Sequence, residues 1–248
     1  MTNQIQKLLT VAAAAFLTTG VHGAILYNNS TIDTGNSLSF INGKTIGSEI
    51  NLGSGVTSAL VTNFSFEIYS TLATFAGPNV QIEAYLYANN GSLFNGYASP
   101  GTTLYDSGLL ALQTPLQSQG LDAVTLNFNL SSTPVSVGSD FTLAVVVTGL
   151  AGGDTVGMEL FDPASVGQNY GDYWLNSGGG WALLTNSVPT DFGAKFSGTP
   201  TPEPSTLGLA AVCATLLTGL TGFSRLRRQK VSSSKTDISE NPNGFPES

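Results

Sequence analysis

The strongest constraint on the fold is a repeated alternation of apolar and polar residues with a period of two. Val124, Leu126, Phe128 and Leu130 alternate with Thr125, Asn127 and Asn129. Phe64, Phe66 and Ile68 alternate with Ser65 and Glu67, and Val80, Ile82, Ala84 and Leu86 alternate with Gln81, Glu83, Tyr85 and Tyr87. Successive strand residues point to opposite faces, so each run predicts a strand with one buried and one wet face. By that parity Tyr85 and Tyr87 face outward. Phe141, Leu143, Val145 and Val147 give a further inward set, with Val146 on the far side. Val156, Met158 and Leu160 follow, and Phe192, Ala194 and Phe196 come last. Shorter strands are expected at Ile25–Tyr27, Thr45–Leu52, Thr103–Tyr105, Gly108–Leu112 and Trp181–Leu184.

Turn-forming runs separate these segments: Asn89-Asn90-Gly91-Ser92, Ser99-Pro100-Gly101, Gly152-Gly153-Asp154 and Ser177-Gly178-Gly179-Gly180. Glycine and asparagine there favour chain reversal. The region from residue 24 to 199 shows no amphipathic helical stripe. About ten short strands joined by such turns predict an all-β domain, an antiparallel β-sandwich of jelly-roll-like type.

Both ends of the chain differ from this middle. Met1–Lys7 is weakly basic, Leu8–Gly20 is apolar and alanine-rich, and Val21-His22-Gly23 offers small residues around a cleavage point. This is the layout of a secretory signal peptide over residues 1–23, read by Sec export machinery, with cleavage after Gly23 or, alternatively, Ala24. At the other end, a proline-rich linker over 200–205 carries Pro202-Glu203-Pro204. An uncharged apolar run follows over residues 206–224, then Arg225, Arg227 and Arg228 and a polar tail to residue 248. Proline disfavours helix just before itself, so a helix begins only after Pro204. A helix over the run is about 28 Å long and just spans a hydrocarbon core. The arginines then hold its cytoplasmic end. The region beyond them has the composition of a disordered segment.

The order of Pro202-Glu203-Pro204, apolar span and Arg225, Arg227 and Arg228 resembles the PEP-CTERM sorting signal of bacterial exported proteins. That resemblance implies processing by an exosortase-type enzyme. It also implies a single-pass stay in the inner membrane, then release to the cell surface or extracellular matrix. The tail beyond the arginines departs from the family pattern, in which the basic cluster sits near the chain end. The middle region is similar to ectodomains found ahead of such signals, through Phe64–Tyr69, Ala84–Gly91, Pro100–Gly108, Gly171–Trp174 and Gly179–Leu184. The resemblance implies an exported β-sandwich without a defined activity.

Composition narrows the chemistry. Residues 24–199 hold two lysines, Lys44 and Lys195, no arginine and twelve carboxylates, a net charge of −10. Such a domain has no footprint for a phosphate backbone, so nucleic acid is excluded as a partner. The one histidine, His22, lies in the signal peptide, and the one cysteine, Cys213, in the apolar run. The exported domain therefore has no disulfide, no thiol or histidine catalysis and no ordinary zinc or copper site. A Ser-His-Asp triad is impossible there. Asp106, Asp154, Asp162 and Asp191 sit in turn contexts, and Glu67 and Glu83 on polar strand faces, as solvated carboxylates do. No catalytic residue, metal site or cofactor is expected. The expected function is structural or adhesive, and non-enzymatic.

One cluster points to a ligand. Tyr173, Trp174 and Trp181, with Asp172 and Asn176, surround the glycine run 178–180. Aromatic rings that stack on pyranose faces, beside side chains that bond hydroxyls, are what an extracellular polysaccharide would need. This makes a carbohydrate-binding module the alternative function. The competing reading is that the tryptophans plug an open end of the sandwich.

Overall fold

The computed structural model describes residues 23–70, 80–112, 123–151, 155–186 and 188–201. Among them there is no helix, and so none long and apolar enough to cross a membrane. The expected signal peptide, the 206–224 span, the residues Pro202, Glu203, Pro204, Arg225, Arg227 and Arg228, and the tail lie outside the described residues.

The described chain forms sixteen strands in order. The first five are β1 (Ala24–Asn29), β2 (Asp33–Ser39), β3 (Thr45–Asn51), β4 (Ser58–Ser70) and β5 (Gln81–Ala88). Next come β6 (Leu93–Phe94), β7 (Tyr97–Ala98), β8 (Thr103–Asp106), β9 (Leu110–Ala111), β10 (Ala123–Asn129) and β11 (Val135–Gly138). The last are β12 (Asp140–Thr148), β13 (Val156–Phe161), β14 (Asp172–Asn176), β15 (Trp181–Thr185) and β16 (Ala194–Thr201).

Two seven-stranded antiparallel sheets contain fourteen of these strands. In the first, the 13-residue β4 is the spine. It pairs with β11 and then β10 along one edge, and with β16 and then β13 along the other. β1 adds outside β16, and β2 outside β13. The second sheet runs β15-β14-β3-β12-β5-β8, with β9 also against β5. The β6–β7 hairpin stands apart from both.

The core lies between the sheets because the period-two sets point there. Phe64, Phe66, Ile68 and Phe196 come from the first sheet, and Ile82, Leu86, Phe141, Leu143 and Val145 from the second. The sheets touch ring to ring. Phe141 meets Phe196 edge to face at 5.1 Å, and Phe64 meets Tyr105 at 5.6 Å. Within the first sheet, Phe64 lies parallel to Phe128 at 4.4 Å. This layered contact of two antiparallel sheets is a β-sandwich.

Several strands escape the period-two pattern. β2 is polar and largely exposed; it is an edge strand whose backbone pairs with β13. β14 lies where a glycine-rich loop was expected, and pairs with both β3 and β15. The expected domain limit at 199 moves slightly outward, since Pro200 and Thr201 still pair with Ala59 and Ser58.

Candidate functional site

The five residues singled out from sequence lie on one β-hairpin. Asp172, Tyr173, Trp174 and Asn176 belong to β14, and Trp181 opens β15. The glycine run is its turn, with Gly178 and Gly180 in left-handed conformations at φ 92° and 114° that glycine adopts without strain. Asn176 accepts the Gly178 N–H at 2.8 Å, so its side chain holds the turn.

Strand parity splits the cluster. Tyr173 pairs with Ser48 and packs against the central core. Trp174 pairs with Gly47 and faces the other way, on the outer side of the sheet. Trp174 is nevertheless 0% exposed. Its strand neighbour Gly47 borders Thr142 and Ala144, and a Cβ on Gly47 would meet the Thr142 methyl at 2.7 Å. Phe94 of the β6–β7 hairpin meets the indole edge to face at 6.4 Å. Trp181 reaches Tyr87 at 5.6 Å, and Tyr87 stacks on Tyr85 at 5.5 Å. The expected platform therefore does not assemble. Tyr173 faces the core, and Trp174 is closed off within a small second core on the outside of the sheet. Trp181, half-buried, retains partial access to solvent. The outward placement of Tyr85 and Tyr87 agrees with their parity.

A carboxylate borders this second core. Burial pushes the Glu49 carboxyl above its ordinary pKa, and the Trp174 indole partly offsets this. The indole N–H itself makes no hydrogen bond of good geometry among the described residues. Thr142 donates to the Asn89 side-chain oxygen at 2.7 Å beside it. Asp172 contributes a weaker repulsion to Glu49.

A polar knot lies at the end of the sandwich. Asn29, fully buried, donates through its amide to the carbonyls of Phe161 at 2.8 Å and Phe192 at 3.3 Å. Asp191 is 1% exposed and accepts the Gly171 N–H at 3.2 Å. Its other oxygen, the Asn29 side-chain oxygen and the Tyr27 hydroxyl are buried with no partner among the described residues. Burial raises the Asp191 pKa to about 6, with the Gly171 N–H pulling it back and Asp162 adding repulsion. Burial and Asp191 also hold the Tyr27 phenol protonated. The knot ties β1 to the segment before β16, and it is closed to any ligand of size.

The open feature is on the opposite sheet, and sequence reasoning passed over it. A depression of 270 Å³ on the outer face of β10, β4 and β16 is lined by Asn63, Ser65, Asn127, Asn129, Lys195 and Ser197, with Phe64 and Phe128. The register explains it. Asn127, Ser65 and Lys195 form one cross-strand row, and Asn129, Asn63 and Ser197 the next. These are the wet-face partners of the buried phenylalanines. The signal was present as three polar alternations, Asn63/Ser65, Asn127/Asn129 and Lys195/Ser197, but only the register brings them together.

No known protein family matches the chain, and no curated protein does. Among solved structures, a chain in the structure of infectious bursal disease virus Gt strain is similar at 15% identity, with a TM-score of 0.26. The match covers 73% of this chain and 43% of the viral one, so the chain spans less than half of that protein's length.

Proposed function

We propose that this chain is an exported protein of the cell surface or extracellular matrix, structural or adhesive in role and without enzymatic activity. Sec machinery would export it. A PEP-CTERM-like signal would hold it in the inner membrane until an exosortase-type enzyme releases it. The observation that carries the reading is the succession of Pro202-Glu203-Pro204, a 19-residue uncharged run and three arginines after a complete domain. A Pro-x-Pro triplet at the mouth of the span is what separates this from an ordinary anchor.

The fold suits the role. From β4 onward the chain changes sheet repeatedly, between β4 and β5, β9 and β10, β11 and β12, β12 and β13, β13 and β14, and β15 and β16. That crossing supports a jelly-roll-like arrangement over a stack of simple hairpins. A core of this extent needs no disulfide, and a strongly acidic surface keeps an exported domain soluble. Localisation tests the reading. With Pro202 and Pro204 replaced by alanine, the protein should stay with the membrane fraction while the parent reaches the surface. Equal release of both would contradict the sorting assignment.

The second reading is a carbohydrate-binding module for the extracellular polysaccharide. What favours it is the open depression of amide, hydroxyl and ammonium groups on the first sheet, in a domain whose charge disfavours polyanions.

A further inference from the structure

We propose that the depression between β10, β4 and β16 binds a neutral, hydroxyl-rich glycan chain, with Asn63, Ser65, Asn127, Asn129, Lys195 and Ser197 as its contacts. This rests on the reading of the protein as an adhesive matrix component, and names what it adheres to.

The two outer faces of the sandwich differ. The outer face of the second sheet is occupied by the protein's own rings: Trp174 is enclosed with Phe94 against it, and Tyr87 and Trp181 pack on each other. Among the described residues, the outer face of the first sheet carries no such cap over β10, β4 and β16. Asn63, Asn127, Asn129 and Lys195 are exposed there, and Ser65 and Ser197 half-buried.

Their hydrogen bonding leaves capacity for a ligand. The Asn63 amide donates at 3.3 Å to Thr62, and the Asn127 amide at 3.4 Å to its own strand at Thr125. Both are long bonds that spend only a donor, so both side-chain carbonyls have no hydrogen-bond partner among the described residues. The Asn129 carbonyl accepts from the Ser131 N–H at 2.9 Å and hydroxyl at 2.6 Å, and its amino group has no partner among the described residues. The Ser65 and Ser197 hydroxyls and the Lys195 ammonium have no side-chain partner among the described residues. The face thus offers acceptors, donors and groups that do both, about 4.8 Å apart along each cross-strand row, with the two rows about 7 Å apart along the strands.

A sugar hydroxyl donates one hydrogen bond and accepts others, so a mixed array of this kind matches a glycan better than it matches an ion. Charge points the same way. A lone lysine in a domain of net charge −10 does not offset the repulsion an anionic polymer would meet. Short side chains on paired strands lose little freedom when they bind, which suits a shallow site. Without a stacking ring the affinity per site is low. Retention in a matrix would then come from many copies on one polymer.

The test is affinity electrophoresis of the full chain in mild detergent, through gels cast with dextran, galactomannan or mixed-linkage β-glucan, and with alginate as the polyanion. The inference expects retardation by at least one neutral polymer and none by alginate. The double variant Asn63→Ala/Asn127→Ala, and separately Lys195→Gln, should weaken that retardation roughly tenfold, the scale of one to two lost hydrogen bonds. Trp181→Ala, on the opposite sheet, should leave it unchanged. No retardation by any neutral polymer, retardation by alginate alone, or undiminished binding by folded double variant and Lys195→Gln would each overturn the proposal. Loss through Trp181→Ala alone would overturn it as well. If binding fails while the protein is still processed and released, the glycan site falls and the export reading stands. If binding holds in a chain that is never processed, the reverse is true.

Discussion

Trp181 on β15 meets Tyr87 on β5 edge to face at 5.6 Å, although β14, β3 and β12 lie between their strands. Four strand spacings amount to about 19 Å on a flat sheet. The contact therefore needs both a sheet that curls toward this face and two large side chains that lean across it. Sheet twist supplies the first. On the same outer face, Gly47 and Ala144 keep the sheet surface low between these strands.

Trp174 is the fully buried ring of the same outer face, packed against Phe94. Trp174→Ala should destabilise the protein by roughly 3–5 kcal/mol, the range for a buried aromatic. Trp181→Ala should cost clearly less, because its ring is only half-buried. Urea unfolding of both variants checks this. Equal losses would mean that Trp181 is as much a packing residue as Trp174.

Phe128 and its neighbour Asn127 make a pair of opposites. Phe128 is buried and stacked on Phe64, while Asn127 is exposed on the other face. Phe128→Ala should cost roughly 3–5 kcal/mol. Asn127→Ala should stay within about 0.5 kcal/mol, as surface changes do. A large loss from Asn127→Ala would place that side chain in the fold rather than on a binding face.

Gly198 sits at the register shift in β16, where an added Cβ would overlap the Leu60 carbonyl oxygen on β4. Backbone of a paired strand has little freedom to yield. Gly198→Ala should therefore cost a few kcal/mol, seen as a drop in the thermal midpoint. Gly179→Ala, with nothing within 4 Å of the new methyl, should be close to neutral.

Asp191 gives the protein a pH dependence with a definite sign. Its folded-state pKa is raised to about 6 from an ordinary 3.8. Stability from this group is therefore complete below about pH 4 and is lost as the pH rises through 6, by an amount on the order of 2–3 kcal/mol. Burial raises Glu49 and Glu67 in the same direction. Denaturation midpoints from pH 4 to pH 7 should fall. Asp191→Asn should be more stable than the parent at pH 7 and show a flatter profile. A parent that grows more stable over that interval would contradict this.

The sandwich was legible in the sequence wherever one face of a strand is wet. β4, β5 and β10 alternate because one side meets the core and the other lies toward water, whereas β12 kept its inward apolar set although Thr142 and Ala144 on its other face are buried as well. β14 was not legible because both of its faces are covered. Tyr173 packs inward and Trp174 is enclosed on the outer side against Phe94, so apolar residues run consecutively and imitate a loop-borne patch. β2 was missed for the opposite reason, since an exposed edge strand has little to bury. The β6–β7 hairpin did have a signal. Asn95-Gly96 takes positive φ at both residues, 52° and 90°, the two-residue turn that such a dipeptide favours. The depression on the first sheet was half-written in the polar alternations. The cross-strand register that joins them depends on which strands become neighbours, which periodicity alone does not fix.

The account turns on export followed by removal of the C-terminal segment, and the intact mass of the surface-released protein tests it most directly. The predicted species begins at Ala24 or Ile25 and ends near Ser205. A released protein that still contains Leu207 to Arg228 would contradict the account and leave an ordinary membrane anchor in its place.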